Sequence, residues 1–130
     1  MHLLNKKMQS METAKRFQDL IVWKKAHQFV LGCYRYTKLF PNEEKYSLVT
    51  QFRRAAVSIP ANIAEAFRKT SRADKARLLN IAQGSLEECR YYLILSRDLG
   101  YGDNHALIES IDEVGRILDA YVNAIRRSIS

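Results

Sequence analysis

Apolar residues return at alternating intervals of three and four along four stretches of the chain, the spacing that lays one stripe along one face of an α-helix. In the first stretch the stripe is Trp23, Ala26, Val30, Cys33, Thr37 and Phe40; in the second it is Val49, Phe52, Ala56, Ile59, Ile63 and Ala66. Leu79, Ala82, Leu86, Cys89 and Leu93 hold it in the third, and Ile108, Ile111, Gly115, Leu118, Val122, Ile125 and Ile129 in the fourth. Breakers separate the stretches at Phe40-Pro41-Asn42, at Thr70-Ser71 and at Leu99-Gly100-Tyr101-Gly102-Asp103, because proline cannot continue a helix and glycine ends one. The pattern predicts helices over about 19–40, 43–69, 72–99 and 104–128. Ser71 with Asp74 three residues on reads as a capping box, and Asn42 and Asp103 stand where they would cap the second and fourth helices. Connections this short favour antiparallel neighbours, hence an all-α, up-down-up-down four-helix bundle over residues 19–130, preceded by a polar, basic leader over residues 1–18.

Two features exceed what one small bundle needs. A second apolar stripe runs beside the seam of the last helix at Leu107, Val114, Ile117, Tyr121 and Ala124, and another along the third at Ile81, Tyr92, Leu95 and Leu99. Wide apolar faces of this kind predict an oligomer interface or, failing that, a thicker core. Pro60 sits inside the second seam, where it frees the carbonyl of Ala56 and should kink the helix. Beside it Arg54, Ser58, Asn62 and Glu65 form a polar stripe. Arg54 and Glu65 stand about 16 Å apart along the axis and cannot pair within one helix, so Ser85 and Glu88 on the third helix are the candidate partners. The stripe serves either as hydrogen bonding that sets helix register or as a pocket.

Composition narrows the classes. With 130 residues, 47% hydrophobic and 27% charged, the chain has the balance of one folded globular domain. Five glycines and two prolines are too few to punctuate many short strands. The longest apolar run, Tyr91 to Leu95, falls far short of the roughly 20 residues of a spanning helix. The first residues lack the apolar core of a secretion signal, so a cytoplasmic location without membrane contact is expected. Cys33 and Cys89 stand far apart with no Cys/His cluster and read as core residues rather than a disulfide or zinc site. His2, His27 and His105 are isolated, and no HExxH, P-loop, GxGxxG or GxSxG motif occurs. The adjacent carboxylates Glu43-Glu44 and Glu87-Glu88 project about 100° apart on a helix and cannot readily share a substrate. We therefore expect no enzyme, no metal and no cofactor.

Charge points to a partner. The formal net charge is +7 and the isoelectric point about 9.6. In an up-and-down bundle residues 15–27, 61–80 and 119–130 meet at one end, where eleven Lys and Arg face four carboxylates; the remainder of the fold is nearly neutral. The candidate phosphate-contacting residues at that end are Lys24, Lys25, Arg68, Lys69, Arg72, Lys75, Arg77, Arg126 and Arg127. No base-reading motif accompanies them, so RNA or DNA would be held by charge and shape. A solvated basic face and an acidic protein partner are the alternatives.

Several segments also carry a resemblance. Phe17-Gln18-Asp19-Leu20 with Val22-Trp23-Lys24-Lys25-Ala26, the run from Gln51 to Glu65 with its Ser58-Ile59-Pro60-Ala61-Asn62-Ile63-Ala64-Glu65 core, Gly84-Ser85-Leu86-Glu87-Glu88 and Asp98-Leu99-Gly100-Tyr101 resemble the four-helix-bundle family of 23S ribosomal RNA intervening-sequence proteins. That family includes the accessory variability determinant of diversity-generating retroelements, to whose last helix Glu113 to Leu118 is similar. The resemblance implies a bundle, assembly into a pentameric ring and no catalytic activity. For the retroelement relative it implies binding of nucleic acid and of a reverse transcriptase through a basic surface. Ala66 departs from the family pattern, in which glycine follows the Ala-Glu pair; this touches only local packing, since alanine is the better helix former. The function expected is that of a non-enzymatic, oligomeric nucleic-acid-binding protein, with an oligomeric protein-interaction scaffold as the alternative.

Overall fold

The computed structural model describes residues 13–128. A short 3-10 turn over Phe17–Asp19 leads into α1 (Ile21–Thr37); a second over Asn42–Glu44 precedes α2 (Leu48–Arg68), which is followed by α3 (Arg72–Asp98) and α4 (His105–Arg127). No strand occurs among the described residues. Each helix packs chiefly on two neighbours, α1 on α2 and α4, and α3 on α2 and α4. This is the up-down-up-down bundle expected from the short connections.

The four seams form the core. Phe29, Phe52, Ile59, Ile63, Leu79, Leu93, Ile111 and Leu118 are fully buried, each worth roughly 1.5 to 3 kcal/mol of transfer from water. The predicted seams of α2 and α3 are buried without exception from Val49 to Ala66 and from Leu79 to Leu93. Burial extends further around α1 and α4, taking in Val22, Phe29 and Tyr36 on the first and Val114, Ile117 and Tyr121 on the last. The second stripe of α4 therefore lies largely inside the protomer, and the expectation that it covers an oligomer interface is corrected: it thickens the core. On α3 the outcome differs, since Ile81 and Leu99 are exposed, as are Tyr91 and Ile94 beside them, while Tyr92 and Leu95 are half-buried.

Tertiary contacts move the helix ends. The helix expected from about 43 begins at Leu48, because Glu44 is drawn to Ser47 Oγ (2.8 Å) and to the hydroxyl of Tyr101 (2.7 Å), holding Asn42–Glu44 as a separate turn. Asn42 consequently caps no α-helix. Asn104 occupies the N-cap of α4 with its side chain turned inward, and Asp103 accepts the His105 amide at 3.2 Å. Ser71 caps α3 as predicted, its hydroxyl accepting from the Asp74 amide at 3.1 Å. The leader expected over residues 1–18 lies outside the described residues as far as position 12. Beyond it, Ala14 and Phe17 pack partly buried against the core, with Phe17 edge-on to Trp23.

Polar groups lock the end opposite the α2–α3 turn. The buried Tyr36 hydroxyl donates to Ser96 Oγ (2.9 Å), has the Gly102 carbonyl at 3.3 Å, and accepts from Asn104 Nδ2 (3.2 Å). Asn104 also donates to the Leu93 carbonyl at 2.7 Å. Gly100 and Gly102 sit at φ of +80° and +130°, which glycine adopts without the Cβ penalty, so the loop can turn back onto Tyr36.

Two outcomes follow from this core. Tyr36→Phe removes the hydroxyl shared by Ser96 and Asn104 and should cost about 1–3 kcal/mol, read as a lower urea midpoint at unchanged slope. Burial pushes the Cys33 thiol up to about 12 and the Cys89 thiol higher still, so neither should react with a thiol-specific disulfide reagent at about pH 8 until the protein is denatured. The unfolded thiol ionises near 9.0 and the folded Cys33 only near 12. Its contribution to stability is therefore complete below pH 9.0 and is lost as pH rises from there towards 12, measurable by denaturant titration at successive pH values.

Candidate nucleic-acid interface

The α2–α3 turn, the start of α1 and the end of α4 share one end of the bundle. Register on the α3–α4 side is set by Gln83 donating to Asp119 (2.9 Å) and by the Arg90–Asp112 ion pair. Carried to the helix end, that register brings Arg126 and Arg127 alongside about positions 75 and 76 of α3, close to the turn that carries Arg68, Lys69 and Arg72. Arg77 lies about one turn further along α3, and Lys24 stands in the first turn of α1.

The nine candidate cations divide into two groups. Lys24, Arg68, Arg72, Arg77, Arg126 and Arg127 are exposed and Lys69 is half-buried. Among the described residues none of these seven has a side-chain hydrogen bond or an ion-pair partner. Like charges left unneutralised at neighbouring helix ends raise the local potential and attract a polyanion. Two of the nine are engaged. Lys25 pairs with Glu113 at 3.3 Å. Lys75 folds back on α2, its ammonium donating to the carbonyls of Ala66 (3.0 Å) and Phe67 (3.1 Å) over the Phe67 ring, so it caps the C-terminus of α2. Burial there lowers its affinity for the proton.

The polar stripe around Pro60 splits in the same manner. Ser85 Oγ donates to Ser58 Oγ (2.8 Å), and Asn62 Nδ2 donates both to Ser58 Oγ (3.0 Å) and to the Ser58 carbonyl (2.8 Å). These three groups tie α2 to α3 beside the buried Pro60. Arg54 and Glu65 take no part: both are exposed, without a hydrogen bond or ion pair among the described residues, and Glu88 meets Tyr92 rather than Arg54. Hydrogen bonding between the helices is thus confined to the middle of the stripe, because the side chains at its ends leave the helix facing water instead of α3.

Other candidate chemistry is engaged in structure. His27 stacks on Trp23 and His105 pairs with Glu109 at 3.0 Å; His2 lies outside the described residues. Among the described residues no group of three or more His, Cys, Asp or Glu could hold a metal ion, and no helix is long and apolar enough to cross a membrane. An open depression of 560 Å³ between α1 and α4 mixes Lys25 and Arg116 with Glu109, Asp112 and Glu113, an unsuitable surface for a polyanion.

Summing charge by bundle ends conceals a second asymmetry. Outside the basic end, residues 28–60 carry Arg35, Lys38, Lys45, Arg53 and Arg54 against Glu43 and Glu44, whereas residues 81–118 carry seven carboxylates against Arg90, Arg97 and Arg116. The α1–α2 side is thus cationic and the α3–α4 side acidic. The signal was present in the sequence but cancelled because the two sides were added together.

The division of labour between the cations can be measured. Lys75→Met should lower stability by about 1 kcal/mol and speed amide exchange at the end of α2, whereas Arg72→Ala should stay within about 0.5 kcal/mol of the parent. Urea unfolding and hydrogen exchange distinguish the two.

Comparison with known proteins agrees with this architecture. The sequence model of the 23S rRNA-intervening sequence protein matches residues 18–120. A crystal structure of a protein of unknown function from the S23 ribosomal protein family of Bacteroides thetaiotaomicron superposes with a TM-score of 0.73 at 29% identity, covering 79% of this chain and 96% of that one. No protein with a curated description matches the chain.

Proposed function

The chain belongs to the 23S rRNA-intervening sequence protein family, and from that premise we propose that it is a non-enzymatic, oligomeric protein that binds RNA, DNA or their hybrid through its basic end. The observation that carries this reading is the set of seven cations, from Lys24 to Arg127, with no ion-pair partner among the described residues. A cluster in which Lys and Arg outnumber carboxylates by eleven to four, placed where helix ends meet, is suited to neutralising phosphates, and each phosphate neutralised releases counterions. Base identity would matter little, since the candidates are Lys and Arg on helix ends with no base-reading element beside them. Several copies around a ring multiply the same surface, which raises affinity without any new contact.

One observation favours a further partner of protein type. Ile81, Tyr91, Ile94 and Leu99 place exposed apolar area on α3. Self-association into the pentameric ring that the resemblance implies would cover such a face, and a reverse transcriptase is the second protein partner it implies. If the scaffold role predominates, nucleic-acid affinity is weak and unselective while a protein partner co-purifies.

Fluorescence anisotropy with structured RNA, duplex DNA and an RNA–DNA hybrid across about 50 to 300 mM salt tests the reading. Binding should weaken steeply with salt. Reversing Arg68, Lys69, Arg72 and Arg126 together should abolish it while circular dichroism stays unchanged, because none of the four has a side-chain partner among the described residues and Lys75 keeps its capping role. Unaltered affinity in that variant would sink the proposal.

A further inference from the structure

We propose that the groove between α1 and α2 is a separate binding site for a phosphate ester, held by Arg53 and Arg54. Successive residues on a helix project about 100° apart, yet both arginines line one groove of 410 Å³ together with Tyr34, Thr50 and Val57. Arg53 is fixed in advance: its Nε donates to Thr37 Oγ1 (2.8 Å), Nη2 donates to the Tyr34 carbonyl (3.3 Å), and the guanidinium lies 4.4 Å from the centre of the Tyr34 ring. Every one of these partners is neutral. They orient the guanidinium without cancelling its charge and leave other N–H groups for a ligand.

Arg54 adds a second guanidinium that is exposed and has no partner among the described residues. On the other flank of Arg53 a smaller groove of 210 Å³ is lined by Lys38 and Lys45. Four cations thus border two grooves that share Arg53, and no carboxylate lines either. Glu44, close by in sequence, is already held by Tyr101 and Ser47. The cation count matches a group bearing more than one negative charge, and guanidinium forks fit phosphate oxygens two at a time. Val57 and the partly exposed Tyr34 ring supply an apolar wall, which suits the carbon part of an ester better than a bare ion. Arg54 lies about 21 Å along α2 from Arg68, so this groove is not an extension of the basic end.

Calorimetric titration of the full chain at low salt with a nucleoside 5′-monophosphate, with the same nucleoside unphosphorylated, and with a short single strand tests the site. Saturable binding of the phosphorylated ligands alone is expected, weakened about tenfold or more by Arg54→Glu and also by Arg53→Lys, which cannot present a planar fork. In the variant whose basic end is reversed at Arg68, Lys69, Arg72 and Arg126, the strand binding more tightly than the nucleotide would identify backbone phosphate as the source, and the reverse a free nucleotide. The basic-end reversal at Arg68, Lys69, Arg72 and Arg126 should leave nucleotide binding unchanged, so the two sites fail independently. Equal binding of the unphosphorylated nucleoside, no saturation by about 10 mM nucleotide, or full affinity in Arg54→Glu overturns the proposal. Loss of self-association in Arg54→Glu without nucleotide binding by the parent would overturn it too, and would assign the groove to the acidic α3–α4 side of a second copy.

Discussion

A tyrosine hydroxyl cannot be left dry in a helical core without a partner, and that constraint governs how the far end of this bundle closes. Tyr36 projects from α1 into a region lined by Phe40 and Phe52, where its hydroxyl is out of reach of solvent. Its partners come from α3 and from the α3–α4 loop, and Asn104 gives up the ordinary task of an N-cap side chain to complete the set. With those groups satisfied, α1, α3 and the start of α4 are held at one level. The loop that makes this possible needs Gly100 and Gly102, whose positive φ angles return the chain to Tyr36.

Closure at that end leaves the opposite end to charge. There the α2–α3 turn, the start of α1 and the end of α4 surround an apolar floor that includes Leu20, Ala66 and Leu78, and the Lys and Arg side chains stand around it. Helix C-termini favour cations through the backbone dipole, which helps explain why Arg68 and Arg126–Arg127 stand in last turns. Lys75 shows where the structural demand stops and the surplus begins. One ammonium satisfies two terminal carbonyls of α2, while the arginines around it have no such duty.

The basic end and the α1–α2 groove differ in character. At the end, long side chains extend into water and contribute by number, as suits a diffuse electrostatic contact. In the groove, Arg53 is clamped by Thr37 and Tyr34, so its position is decided before any ligand arrives. The acidic α3–α4 side completes a protomer whose charge varies across its width as well as along its length.

Much of the fold was legible in the sequence. Three-and-four spacing marked all four helices, Ser71 marked the start of α3, and Pro41 and Gly100 marked the breaks, because periodicity, capping and backbone restriction are local properties. The excess charge at one end was legible as well, once short connections implied alternating helices. The remainder depended on contacts between residues far apart in the chain. Glu44 reaching Tyr101 shortened α2, neighbouring helices buried the second stripe of α4, and a carbonyl pair on α2 claimed Lys75. Ser58 and Asn62 found Ser85 while Arg54 and Glu65, on the same stripe, faced water. Spacing along a helix determines which side chains share a face; which of those faces meets another helix, and at what height, is settled only when four helices pack and each buried polar group must find its partner.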